Sequence, residues 1–167
     1  LAFARRKAVV AQVLLTRDIM ESKIRHANAR ATMDALLDLK AIPIIKENDT
    51  VAVEEIKVGD NDNLAVMVGK LADAKLVILL TDIDGFYMDP MGSEPPLSII
   101  KEITAEIRKA ARQTENHSAT GGMITKLQAA EASVTAGIPL AIASGRKAGI
   151  LKSILDGQDI GTLFALK

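Results

Sequence analysis

Hydrophobic residues make up 49% of the 167-residue chain and aromatics only 2%, so a single domain's core must be aliphatic, which suits helices packed on a parallel sheet. Lys+Arg and Asp+Glu balance at 21 each, and no global field draws in nucleic acid or an anionic membrane. The count of zero cysteines excludes disulfides and cysteine-ligated metal and fits a cytoplasmic protein.

Arg5-Arg6-Lys7 followed by AVVAQVLL imitates a targeting segment, but Gln12 interrupts the run, Arg17-Asp18 close it, and no small-residue cleavage site follows. The segment reads as an amphipathic helix. No apolar run approaches the ~18 residues of a membrane span. An opening on Leu1 rather than Met predicts an amino-terminal part outside this sequence.

Ala29, Met33, Leu36, Leu37 and Lys40 space as a helix, and AIPII (Ala41–Ile45) follows as a buried strand ending in KENDT. Val51, Val53, Ile56 and Val58 suggest a hairpin-like excursion over Thr50–Val58. Leu64, Met67, Val68 and Leu71 give a second helix. KLVILL (Lys75–Leu80) reads as the next strand, ending in TDIDG, and MDPMGSEPP (Met88–Pro96) as a turn-rich loop. ARQTENHSA (Ala111–Ala119) reads as a polar loop. Leu127, Ala130 and Val134 mark a third helix, before the strand PLAIA (Pro139–Ala143) and its loop SGRK. Strand and helix alternate, which predicts an α/β fold with a mainly parallel sheet. Ligands then bind beyond the carboxyl ends of the strands, where the polar clusters fall.

Four of those clusters carry chemistry. Asp60-Asn61-Asp62-Asn63 sits before an apolar helix; Asp62 or Asn63 could cap it, yet one residue suffices for capping and the surplus suits a ligand. KENDT reads as a surface turn or as groups that hold an ammonium and orient a carboxylate. TDIDG ends the strongest strand, either as a turn or as a nucleotide edge. In ATGGMITKL, Gly121-Gly122 before a helix can bring backbone N–H groups onto an anion, with Lys126 about one turn in. The usual phosphate-loop spacing is absent, and a glycine turn before a solvated lysine reads equally well. SGRK is a further candidate nucleotide-facing loop. His26 and His117 stand in no triad arrangement with a serine and an acid, which rejects hydrolase chemistry.

Taken together, PIIKENDTVAVEEIKVGDNDNLA, LVILLTDIDGFYMDP, TGGMITKLQAA and GTLF resemble the amino acid kinase family, and within it the glutamate 5-kinases. The segments VAQVLLTRDIM and NARATMDALLDL fit as helices. The likeness runs over nearly all of the chain and covers the later, larger part of that family's kinase domain, without the RNA-modification-type domain often appended at the carboxyl end. It implies a three-layer αβα sandwich in which ATP, as its magnesium complex, phosphorylates the γ-carboxylate of L-glutamate, the first step of proline synthesis. It implies Asp49 and Asn61 on the glutamate, Asp62 orienting the catalytic lysine, and Lys126 stabilising the phosphoryl group in flight. Thr81, Asp82 and the segment Thr120, Gly121, Gly122, Met123, Ile124, Thr125 and Lys126 would contact the nucleotide. It also implies proline as a feedback inhibitor and a homo-oligomer, with no metal ligand assigned in this chain. Lys46 stands where the family typically has Asn, Ala119 replaces a frequent Gly, and the family's early strand with a second lysine would lie before Leu1. Acetylglutamate, carbamate, aspartate or uridylate kinases are the alternatives within the family. A non-catalytic binding fragment is the alternative outside enzymes.

Overall fold

A computed structural model describes residues 2–48, 61–89, 94–113 and 122–166. The fold is α/β with mainly parallel strand pairing, as the alternation predicts. The chain divides into two compact units, residues 1–58 with 71–73, and residues 59–70 with 74–167.

The first unit contains α1 (Ala2–Arg5), β1 (Val10–Leu15), a 3-10 turn (Arg17–Met20), α2 (Lys23–Asp38) and β2 (Ile42–Glu47). The run read as an amphipathic helix is therefore β1, and RDIM is a single 3-10 turn. An apolar run this short fits either period. Pairing decides it: β1 lies parallel to β2, from Val10 opposite Ile42 to Leu15 opposite Glu47, and alternate residues differ in exposure as a strand requires. The AIPII segment thus belongs to a two-stranded sheet, distinct among the described residues from the one that holds the other two expected strands.

α2 starts where Ser22 Oγ accepts a hydrogen bond from the Arg25 amide at 3.4 Å, and Met33 is its buried residue. It stops at Asp38, short of the Lys40 included in its spacing. Lys40 takes a left-handed φ of 55°, and the Ala41 amide returns to the Leu36 carbonyl at 2.9 Å, which closes the last turn. The hairpin expected over Thr50–Val58 lies outside the described residues.

The second unit contains α3 (Asn61–Leu71, shared at its last residue with the first unit), β3 (Val77–Thr81), β4 (Ile99–Ile100), α4 (Ala105–Gln113), α5 (Met123–Thr135), β5 (Leu140–Ser144), α6 (Ile150–Leu155) and β6 (Thr162–Phe164). The sheet order is β3-β5-β6-β4, with β5 and β6 antiparallel and the other pairs parallel. KLVILL and PLAIA supply β3 and β5; the very short β4 and β6 carried no readable period.

β5 is buried along its whole length. Ala129, Ala130 and Ser133 of α5 are fully buried, and such small residues let the helix approach the sheet closely. Ser133 satisfies its buried hydroxyl by donating to the Ile138 carbonyl at 2.8 Å. Gly69 serves the same closeness in α3, since a Cβ there would lie 2.8 Å from Val77 Cγ2. The aliphatic core, which includes Val66, Leu79, Leu127 and Ile142, closes on one aromatic pair. Phe86 and Phe164 meet edge-on with centroids 6.4 Å apart.

α4 and α5 are joined by a fork. Arg108 donates from Nη1 to Glu131 Oε2 at 3.0 Å and from Nη2 to Oε1 at 2.5 Å. The guanidinium's hydrogen bonds hold the Glu131 carboxyl below the usual range. A depressed carboxyl contributes stability above its unfolded value and loses it as pH falls through the folded one. Glu131→Gln should therefore melt earlier than the parent at pH 7, and the gap should close in acid below the glutamate range. Thermal melts at several pH values check this; a gap independent of pH would remove the pair as its cause.

Candidate active site

The topology of the second unit collects polar groups at one edge. α3 joins β3 through residues 72–76, and α5 joins β5 through residues 136–139. Connections this short send each helix back across the sheet. The amino ends of α3 and α5 therefore lie at the edge where β3 and β5 finish.

Asp62 and Lys126 meet there. Lys126 Nζ donates to Asp62 Oδ2 at 3.1 Å, across 64 positions of sequence. The side chains are 13% and 17% exposed, so water screens the pair far less than a surface ion pair. Thr125 Oγ1 lies 3.2 Å from the same Asp62 oxygen and 2.8 Å from the Gly122 carbonyl. Its single proton can serve either acceptor, so Asp62 keeps a second donor within reach when the lysine turns elsewhere.

The cap alternative for Asp62 and Asn63 does not hold in this geometry. α3 begins at Asn61, so both residues lie inside the first turn, and Asp62 spends its carboxylate on Lys126. Asn61 is exposed at the first position of the helix. Gly122 is the N-cap of α5, in extended conformation, and as a glycine it has no side chain with which to cap the helix. The amide end and its partial positive charge are thus not consumed by a side chain of the N-cap residue itself. Met123 is buried in the core and Ile124 packs against it, so what these two can offer a ligand is backbone. Thr120, Gly121 and Asp49 lie outside the described residues.

Thr81 ends β3, donates its hydroxyl to Asp82 Oδ1 at 3.1 Å, and accepts the Gly145 amide at 2.7 Å on its carbonyl. Asp82 is exposed and faces Arg146 at 4.0 Å. Asp84 pairs with Lys147 at 3.1 Å. Reading the sequence marked TDIDG and SGRK separately; their cross-pairing had no local signal. Thr162 of GTLF was also missed as an anchor. It is fully buried and accepts the Phe86 amide on Oγ1 at 2.7 Å. A cavity of about 430 Å³, lined by Ile100, Lys101, Thr135 and Phe164 among others, adjoins the carboxyl end of α5, opposite Lys126. Among the described residues no cluster of three or more His, Asp or Glu forms a metal site, and no helix is long and apolar enough to cross a membrane.

The arrangement can bind an anion. A sheltered lysine held by a carboxylate stands one turn into a helix whose amide end faces the same edge, and it can be handed from Asp62 to an incoming phosphate oxygen.

Along most of its length the chain is similar to known proteins. The profile of the "Amino acid kinase family" matches residues 2–144. A glutamate 5-kinase of Pelobacter propionicus is 47% identical over 166 residues, covering 98% of this chain and 44% of its own. A glutamate 5-kinase of Clostridium perfringens is 45% identical over 166 residues, covering 95% of this chain and 62% of its own. The chain thus spans about half the length of the curated relatives it matches. Among solved structures, a UMP kinase from Ureaplasma parvum aligns over 98% of this chain and 63% of its own with a TM-score of 0.58 at 12% identity, a likeness of fold alone. With the profile covering most of its length, this chain belongs to the amino acid kinase family.

Proposed function

We propose that the protein containing this chain is a glutamate 5-kinase, transferring the γ-phosphoryl group of ATP to the γ-carboxylate of L-glutamate. The observation that carries the reading is the sheltered Lys126–Asp62 pair beside the glycine-led amino end of α5. The 45–47% identity to curated glutamate 5-kinases supports the choice of acceptor.

The chemistry suits a site without a general base. A glutamate carboxylate is already anionic, so its oxygen forms the bond to phosphorus directly. The bond from the γ-phosphorus to the bridging oxygen breaks, ADP leaves with that electron pair, and no proton moves. What the reaction needs is cations against the mutual repulsion of carboxylate and polyphosphate. In this reading Lys126 supplies one, and Asp62 orients it between turnovers. The amide end of α5, with Gly122, Met123, Ile124 and Thr125, supports the phosphates. Thr81 and Asp82 contact the rest of the nucleotide, Thr120 and Gly121 extend the phosphate loop, and Asp49 with Asn61 hold the glutamate. Magnesium arrives on ATP as part of the substrate. Asp62 and Asp84 are committed to lysines, and no residue of this chain is assigned to the ion. Both compact units are parts of one kinase domain, cytoplasmic, self-associating and inhibited by proline, in the same proposal.

The test is an acceptor panel with labelled ATP and the full-length protein. γ-Glutamyl phosphate, trapped with hydroxylamine as the hydroxamate, is expected from glutamate. Phosphorylation of acetylglutamate, carbamate, aspartate or UMP with glutamate inert would transfer the chain to another branch of the family.

A further inference from the structure

We infer that Lys147 is a positioning residue for the nucleotide: by pairing with Asp84 it fixes the loop on which Thr81 and Asp82 stand. The inference rests on the nucleotide reading of that loop.

The segment Thr81–Phe86 is tied at three places to β5, β6 and the turn after β5. At its start the Gly145 amide donates to the Thr81 carbonyl at 2.7 Å. At its end the Phe86 amide donates to the buried Thr162 hydroxyl at 2.7 Å. Gly85 makes that end tight, because a Cβ there would fall 2.7 Å from Thr162 Oγ1 and 2.9 Å from Pro96 Cβ. Both ties use backbone groups and belong to the fold. The middle tie is different: Lys147 Nζ to Asp84 Oδ1 at 3.1 Å, with side chains 55% and 47% exposed.

An ion pair so exposed adds little stability. Its effect is on conformation. Between the two backbone anchors, residues 82–85 have no regular structure, and Asp84 is two residues from Asp82. Holding Asp84 limits the arc through which Asp82 can turn. Arg146 faces Asp82 only at 4.0 Å and is 76% exposed, so it does not replace that restraint.

The experiment measures MgATP binding by calorimetry with the full-length protein and no glutamate, alongside steady-state kinetics. Lys147→Met and Asp84→Asn should each weaken ATP binding about fivefold, the scale of a coupling mediated through a loop. The double variant should be no worse than either single one. The KM for ATP should rise in parallel while kcat changes less than twofold, and Lys147→Arg should restore affinity. Melting temperatures should stay within about 2 °C of the parent, which separates positioning from unfolding. Equal ATP affinity in Lys147→Met and the parent overturns the inference and leaves the kinase reading intact. A parent that binds no ATP overturns both.

Discussion

Lys126→Met is expected to lower kcat for glutamate phosphorylation by about a hundred- to a thousandfold while ATP affinity changes far less. The magnitude is that of deleting one preorganised donor aimed at developing charge. The asymmetry follows from where the charge appears. In the proposed reaction the phosphoryl group in flight would be met by Lys126 most strongly at the transition state, whereas the resting nucleotide would also be held by the α5 amides. Methionine keeps most of the length of the unbranched side chain, so packing of its stem at this 13%-exposed position is largely preserved. Asp62, 17% exposed, would lose its cation, and stability should fall by up to about 3 kcal/mol, less whatever Thr125 recovers by turning its proton to that oxygen. Melting curves must accompany the kinetics for that reason. A variant that folds and turns over at the parent rate would take Lys126 out of the mechanism.

Gly161→Ala should produce the largest loss of stability among substitutions at the glycines whose surroundings are described. Gly161 has φ +80°, and a Cβ there would lie 2.2 Å from the carbonyl oxygen of Ile142 and 3.0 Å from Ala143 Cβ. Ile142 is fully buried in β5, the strand flanked by β3 and β6, so the carbonyl cannot withdraw cheaply. Left-handed strain alone costs roughly 1–2 kcal/mol. With the clash the loss should exceed about 3 kcal/mol, or a melting point lower by roughly 6–12 °C for a domain of this size. Gly157→Ala is the control. Its φ is +76°, but nothing lies within 4 Å of the added carbon, so only the strain remains. Equal melting shifts for the two variants would show that the Gly161 approach does not limit stability.

The two predictions bear on different parts of the motif set. Lys126 could be picked out from GGMITK because a glycine pair before an apolar helical spacing is a local signal. Asp62 is one of four neighbouring polar candidates, and nothing in its window says which of them takes the lysine. Gly161 and Thr162 contributed only to the resemblance. Their physical role, a glycine pressed on β5 and a buried hydroxyl holding the Phe86 amide, appears only when β6 is set beside β5. The six residues of β1 satisfy either period until β2 is laid alongside, so the helix expected there gives way to a strand. β4 and β6, two and three residues long, are strands only by virtue of their neighbours.

The sequence by itself determined the aliphatic core, the helices α2, α3 and α5, the strands β2, β3 and β5 (though not the exposure of β2, which has no buried residue), and a set of acidic, amide and glycine-lysine motifs whose order marks the family. These depend on spacing within about ten residues, which composition and period record. Tertiary structure alone decided that β1 is a strand, that Asp62 meets Lys126 across 64 positions, and that Lys147 closes on Asp84. Such pairings are fixed by which strands lie side by side and which helix ends share an edge, and that free energy is spread over the whole core rather than written in any one window.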